Sequence, residues 1–276
     1  MLVVPPPPYD FPGLSSKGGK ELNAYSAPKD VFDRQPAELV DIALSRLQAA
    51  GVELIEWRAL LYRRMTVPVF VRDFSYIVPD EDLARASDIL SNIGLPLSPP
   101  SKLLTRVEGD IHSKATYHRL TRSSAPAWVQ RFALYPASFV SLNPEELYTT
   151  PSIHLLPSRS TTKILVPRPS AVYAWLLRTM LKYPRSCAVR TILASDLSEL
   201  VDYHLLRVSE GYVNPDENPE RWKELNMERR IADALEVVNQ WTQNHEWREG
   251  EEWFGDALEA IVSGDGNIEY LPSSNS

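Results

Sequence analysis

A single cysteine, Cys187, stands in a chain of 276 residues. One thiol excludes an internal disulfide framework and fits a reducing compartment, so the cytosol or the nucleus is the expected location. Long apolar runs are missing as well. None approaches the roughly 18 residues of a membrane span, and "MLVVPPPPYDFPG" has neither a basic region nor a cleavable apolar segment, so neither membrane insertion nor secretion is expected. Glycine is scarce, with 11 residues. No Gly-x-Ser-x-Gly, Gly-x-Gly-x-x-Gly or phosphate-loop pattern occurs, and "SSKGGKE" holds a Gly-Lys pair without the rest of such a loop. There is no internal repeat.

What is present is the composition of an ordinary globular protein, 43% hydrophobic, 24% charged and 9% aromatic. The net charge of -7 hides an asymmetry: residues 102 to 190 carry 13 Lys or Arg against 4 Asp or Glu, and residues 209 to 276 carry 5 against 16. The basic middle can attract phosphates, or the acidic tail can neutralise it within the chain. Residues 1–30, with "PPPP", "SSKGGK" and "SAPKD", read as a Pro, Gly and Ser tail outside the fold. The expected division is an α/β core over 31–169, a helical portion over 170–263 packed on it, and a flexible end over 264–276.

Within the core, Pro36 at an early helical position, Leu39, Ile42, Ala43 and Leu47 at helical spacing and Gly51 as a stop predict a helix. "VELIE" is a short strand, "WRALLYRR" two helical turns, and 66–79 a long alternating strand. "PDEDLARASDILSNIG" predicts a helix with Asp80 as N-cap. After a loop containing "RVEGDIH", the segments "ATYHRLT", "VQRFALYPASFV" and "TTKILVP" read as strands, and beyond Pro169 the pattern is helical. The fold class expected is α+β, a mixed sheet flanked by helices.

The segments "IEWRALLYRRMTVPVFVRDFSYIVPDEDLARASDILSNIGL", "KILVPRPSAVYAWLLRTMLKYPR" and "RTILASDLSELVDYHLL" together resemble the nucleotidyltransferase superfamily in its small antibiotic-modifying and antitoxin-like branches. The wording "PRPSAVYA" and "SDLSEL" is also similar to that of uncharacterised fungal proteins. In the family, a Gly-Gly or Gly-Ser turn opens a helix and the next strand presents Asp-x-Asp. A neighbouring strand usually adds a third acid. The resemblance implies that these acids bind the divalent ions, Mg²⁺ in an active member, that orient a nucleoside triphosphate.

Period-2 geometry puts Asp73 and Ser75 on one strand face, but Ser75 stands where the second acid belongs. The strand "VQRFALYPASFV" has no acid, and Arg131 sits in it. Trp57 and Arg58 occupy the turn where the family uses small residues so that the backbone can approach phosphates. These departures suggest a retained scaffold with lost chemistry: a degenerate nucleotidyltransferase-like protein, a pseudoenzyme that binds or interacts. Two alternatives stand beside it. One is an active metal-dependent enzyme using Asp73, with Glu108 or Asp110 as rescuing carboxylates. The other is a nucleotide or nucleic-acid binder using the basic segment, with Arg119 and Arg122 as candidate contacts. A protein partner is a further candidate, and no ligand is specified.

The remaining candidates have plain readings. Asp110, His112 and His118 fit no zinc spacing and read as solvated loop residues. Cys187 reads as a small buried hydrophobe and His204 as a polar tip at a packed edge. The aromatic residues of the basic segment read as core, and the tail tryptophans Trp222, Trp241, Trp247 and Trp253 as anchors for the terminal helices.

Overall fold

Residues 30–125, 128–152, 163–209 and 213–274 are described by the computed structural model. The expected tail thus falls outside the described residues except for Asp30. The chain enters α1 (Pro36–Ala49) through Pro36, with the Glu38 carboxylate accepting from the Gln35 N–H at 3.2 Å. Gly51, at φ 75°, ends it in the left-handed region as the sequence predicts. Strand β1 (Ile55–Trp57), helix α2 (Ala59–Arg64) and strand β2 (Asp73–Val78) follow, then a 3-10 turn into α3 (Leu83–Asn92).

Two short helices, α4 (Lys102–Glu108) and α5 (Asp110–Ser113), precede β3 (Thr116–Arg119), β4 (Arg131–Pro136), α6 (Ala137–Val140), β5 (Leu147–Pro151) and β6 (Lys163–Pro167). The remainder is helical: α7 (Pro169–Leu181), α8 (Ala188–Leu200), a π-helical turn (Val201–Leu205), α9 (Pro219–Glu224), α10 (Met227–Gln243) and α11 (Trp253–Ser263).

The α+β class holds. Six strands form one mixed sheet in the order β3-β4-β2-β1-β6-β5, with β2 antiparallel to β1 and parallel to β4. On one face, α3 packs against β3 and β4, and its Ser87 hydroxyl meets His118 Nε2 at 2.9 Å. On the other, α7 lays Trp175 edge-on against Trp57, ring centroids 4.1 Å apart, and α8 brings Asp196 to the Tyr62 hydroxyl of α2 at 2.9 Å. One hydrophobic cluster runs from Leu39 to Val262 across the expected core and helical portion.

Several expectations are corrected. The 66–79 strand begins only at Asp73, because Pro68 lacks an N–H and Val69 turns back to the Val67 carbonyl. "RVEGDIH" is helical, kinked at Gly109. "PASFV" leaves the sheet as α6, and β5 is an additional strand. Asp80 does not cap its own helix; its carboxylate accepts from the Ser138 N–H of α6 at 2.9 Å, and the Ser138 hydroxyl first, with that N–H, holds its pKa below the usual range. The segment "ERWKELNMERRIADALEVVNQWTQNHEW", helical in its pattern throughout, is broken at Asn226, φ 53°, into α9 and α10.

His112 and His118 are buried rather than solvated. His118 Nδ1 donates to the Leu95 carbonyl. His112 Nε2 accepts from the Ser101 N–H, and burial with the nearby Arg131 lowers its pKa to about 4, against an opposing pull from Asp73.

The charge asymmetry is partly resolved inside the chain. Glu146 receives Arg178 at 2.7 Å and Arg248 at 2.6 Å, and Arg178 also bridges to Glu251 at 2.5 Å. Trp241 packs on Tyr173 and on Trp247, and Trp247 on Phe254, so these tail aromatics are anchors. In the expected flexible end, Arg190 donates to the carbonyls of Leu271 and Pro272.

Burial opposes ionisation of Glu146, but Arg248, the Asn143 N–H and Arg178 outweigh it and lower its pKa. Its contribution to stability is therefore present above the ordinary glutamate value of 4.5 and lost as pH falls through the depressed folded value. Replacing Glu146 by Gln takes the carboxylate from Arg248 and leaves Arg178 with Glu251, at an expected cost of about 2 kcal/mol in urea denaturation at neutral pH. The variant is expected to show a shallower loss of stability on acidification than the native chain.

Candidate functional site

Because the pleat alternates, Asp73 and Ser75 share one face of β2, and the registers extend each into a row. Arg119, Arg131 and Asp73 lie side by side across β3, β4 and β2; Tyr117, Ala133, Ser75 and Trp57 form the next row. A cavity of about 500 Å³ opens on this face, and Asp73, Ser75, Arg58, Arg72, Glu108 and Asp196 are among its walls.

The charges alternate around the wall. The Arg72 guanidinium lies 3.3 Å from Asp73 Oδ2 and 3.8 Å from Glu108, and Arg58 lies 3.5 Å from Glu108 and 3.8 Å from Asp196. The chain of contacts is thus Asp73, Arg72, Glu108, Arg58, Asp196. Burial works against the charge on Arg58, yet Asp196 first, then Tyr135, Tyr62 and Glu108, raise its pKa on balance. Burial raises the Asp196 pKa, with Arg58 and the Tyr62 hydrogen bond opposing. Behind this wall Arg131 is 3% exposed and stacks over Tyr117 at 5.2 Å. Its Nε and Nη1, and Asp73 Oδ1, are buried without a hydrogen-bond partner among the described residues.

Arg58 carries the least expected feature of the site. It precedes α2 at φ 50°, ψ -122°, a backbone region that glycine enters freely and a Cβ opposes. The backbone has the conformation a glycine would give the turn, while the side chain is an arginine pinned between two carboxylates.

The residues named from the sequence separate into two groups. Asp73, Ser75 and Arg58 meet in the cavity, and Glu108 joins them from the end of α4. Asp110 does not line the cavity; it accepts from the Tyr183 hydroxyl at 3.0 Å. Trp57 is 1% exposed and packed on Trp175, so its bulk fills the core and does not wall the cavity.

Arg119 lies over Phe32 at 5.8 Å, and Arg122 bridges to Asp30 at 2.9 Å and Asp33 at 3.2 Å. Neither lines the cavity. Sequence reasoning did not single out Arg72, Asp196, Glu199 or Tyr62, all of which line it. The available signal was the pair of acids three apart in "SDLSEL", which one helix face must present together.

The donor set does not fit a divalent ion. Such ions need several converging carboxylate oxygens. Here Asp73 and Glu108 are both engaged by Arg72, and the register position beside Asp73 holds a guanidinium. Among the described residues no three His, Cys, Asp or Glu side chains group to hold a metal. Neither a protein-family model nor a curated protein matches the sequence.

The strain at Arg58 is measurable by comparing two truncations, each of which deletes the guanidinium. Arg58→Gly is expected to be more stable than Arg58→Ala by about 1 kcal/mol in urea denaturation, the reverse of the usual order in regular structure. The usual order would mean that residue 58 is unstrained.

Proposed function

We propose that this chain is a nucleotidyltransferase-like binding protein that does not transfer nucleotides. The reading rests first on the resemblance in the sequence. It is supported by the sheet arrangement, in which Asp73 and Ser75 on β2 face the same side beside the parallel strand β4 and below the turn at Arg58. The observation that carries the inactive reading is the register pair of Asp73 with Arg131. A cation fixed where the family places its third acid repels Mg²⁺, and Arg72 bonded to Asp73 reinforces that repulsion.

The active alternative gains Glu108 within the cavity, but that carboxylate is paired with both Arg58 and Arg72. The alternative through the basic segment is weakened by the internal engagement of Arg178, Arg190 and Arg122.

The test is label transfer from radiolabelled nucleoside triphosphates to protein or small acceptors, with Mg²⁺ or Mn²⁺. No metal-dependent transfer is expected from the native chain, and none from Ser75→Asp alone, because the guanidiniums remain. Transfer by the single variant would mean that the missing acid was the only defect, and the reading would fail.

A further inference from the structure

We infer that the Asp73 cavity receives a neutral, polyhydroxylated molecule of the size of a monosaccharide, disaccharide or cyclitol. The inference rests on the non-transferring reading of the same site and supplies the class of ligand that the reading leaves open.

The volume, about 500 Å³, lies within the range of small-molecule pockets. The order of charges decides the class. Arg72 stands between Asp73 and Glu108, and Arg58 between Glu108 and Asp196. A phosphate approaching either arginine meets carboxylates on both sides of it. A polyamine approaching Glu108 meets guanidiniums on both sides. A zwitterion needs separated poles, and here the signs are interleaved.

A hydroxyl group is both donor and acceptor, so it can lie between a carboxylate and a guanidinium and satisfy each. The wall retains capacity for such bonds: among the described residues the Arg58 guanidinium makes ion pairs of 3.5 and 3.8 Å, longer than good hydrogen bonds. Formally the lining is acidic, with Glu199 as a fourth carboxylate. Burial and the neighbouring Asp196 raise the Glu199 pKa, which lessens that excess.

Two independent features point the same way. Ser75 is 3% exposed, lines the cavity, and its hydroxyl has no hydrogen-bond partner among the described residues. A hydroxyl at the cavity wall without a protein partner is free to donate to and accept from a hydroxylated ligand. At the mouth, Phe70 also lines the cavity yet is 82% exposed. A phenyl ring in that position offers an apolar platform for the C–H face of a pyranose or inositol ring, which loses apolar surface to water on contact.

The test is isothermal titration calorimetry on the full chain with glucose, galactose, maltose and myo-inositol, and separately with spermidine, with glycine and with ATP plus Mn²⁺. At least one neutral polyol is expected to bind one-to-one with an affinity insensitive to added salt. Ser75→Ala is expected to weaken it by about fivefold, the worth of one neutral hydrogen bond. Phe70→Ala, at an exposed position that leaves the fold intact, is expected to weaken it similarly.

Failure of all four polyols to bind, with ATP and Mn²⁺ also silent, overturns the ligand class and leaves the non-transferring reading standing. Binding of ATP with Mn²⁺ that Asp73→Asn abolishes overturns that reading itself. Spermidine or glycine binding that weakens in Ser75→Ala overturns the neutral class.

Discussion

The alignment of β2 with β4 sets Asp73 beside Arg131, and the character of the cavity depends on that pairing. A carboxylate and a guanidinium fixed on adjacent parallel strands cannot separate without slipping the sheet, and a slip by one residue would send every core side chain to the wrong face. Arg72 adds a second cation from just before the strand, where the irregular backbone lets it turn back on Asp73. Asp73 is thus held by the positive charge around it. Glu108 and Asp196 are brought into the same alternation by Arg58, whose backbone is held in an unfavourable region while its guanidinium stays between them.

The helical portion matters to the cavity because α8 supplies Asp196 and Glu199. Trp175 of α7 on Trp57 and the packing of α7 on α8 hold that wall over the sheet. Farther along, the Glu146 cluster ties the tail to α7 through Arg178 and to the turn before β5 through Arg248. Burying such charges costs desolvation energy, so this network adds less net stability than its short distances suggest. It does select one docking of the tail, because any other leaves charges unpaired.

Regular elements were legible where periodicity and punctuation agreed. The helix from Pro36 to Gly51 and the alternation of "DFSYIV" announce themselves, and the shared face of Asp73 and Ser75 follows from the pleat. Other features depend on tertiary contact. Nothing in "IEWRALL" marks Arg58 as a residue at positive φ, since arginine normally avoids that region. Glu108 stands at the cavity wall at the end of α4, a helix that the Pro and Ser cluster before it disguised as loop and that Gly109 breaks. His112 and His118 looked solvated because polar neighbours in sequence say nothing about the Tyr117 ring that packs on His112 or the α3 helix that meets His118.

Carboxylate ¹³C NMR with Mn²⁺ added to the native chain tests the central claim most directly, because a paramagnetic ion broadens the signal of any carboxylate that binds it. The account predicts that the Asp73 and Glu108 signals stay sharp while exposed surface acids of the tail broaden weakly and alike. Selective broadening of Asp73 at low Mn²⁺, ahead of the surface acids, would show a functioning divalent-ion site and contradict the account.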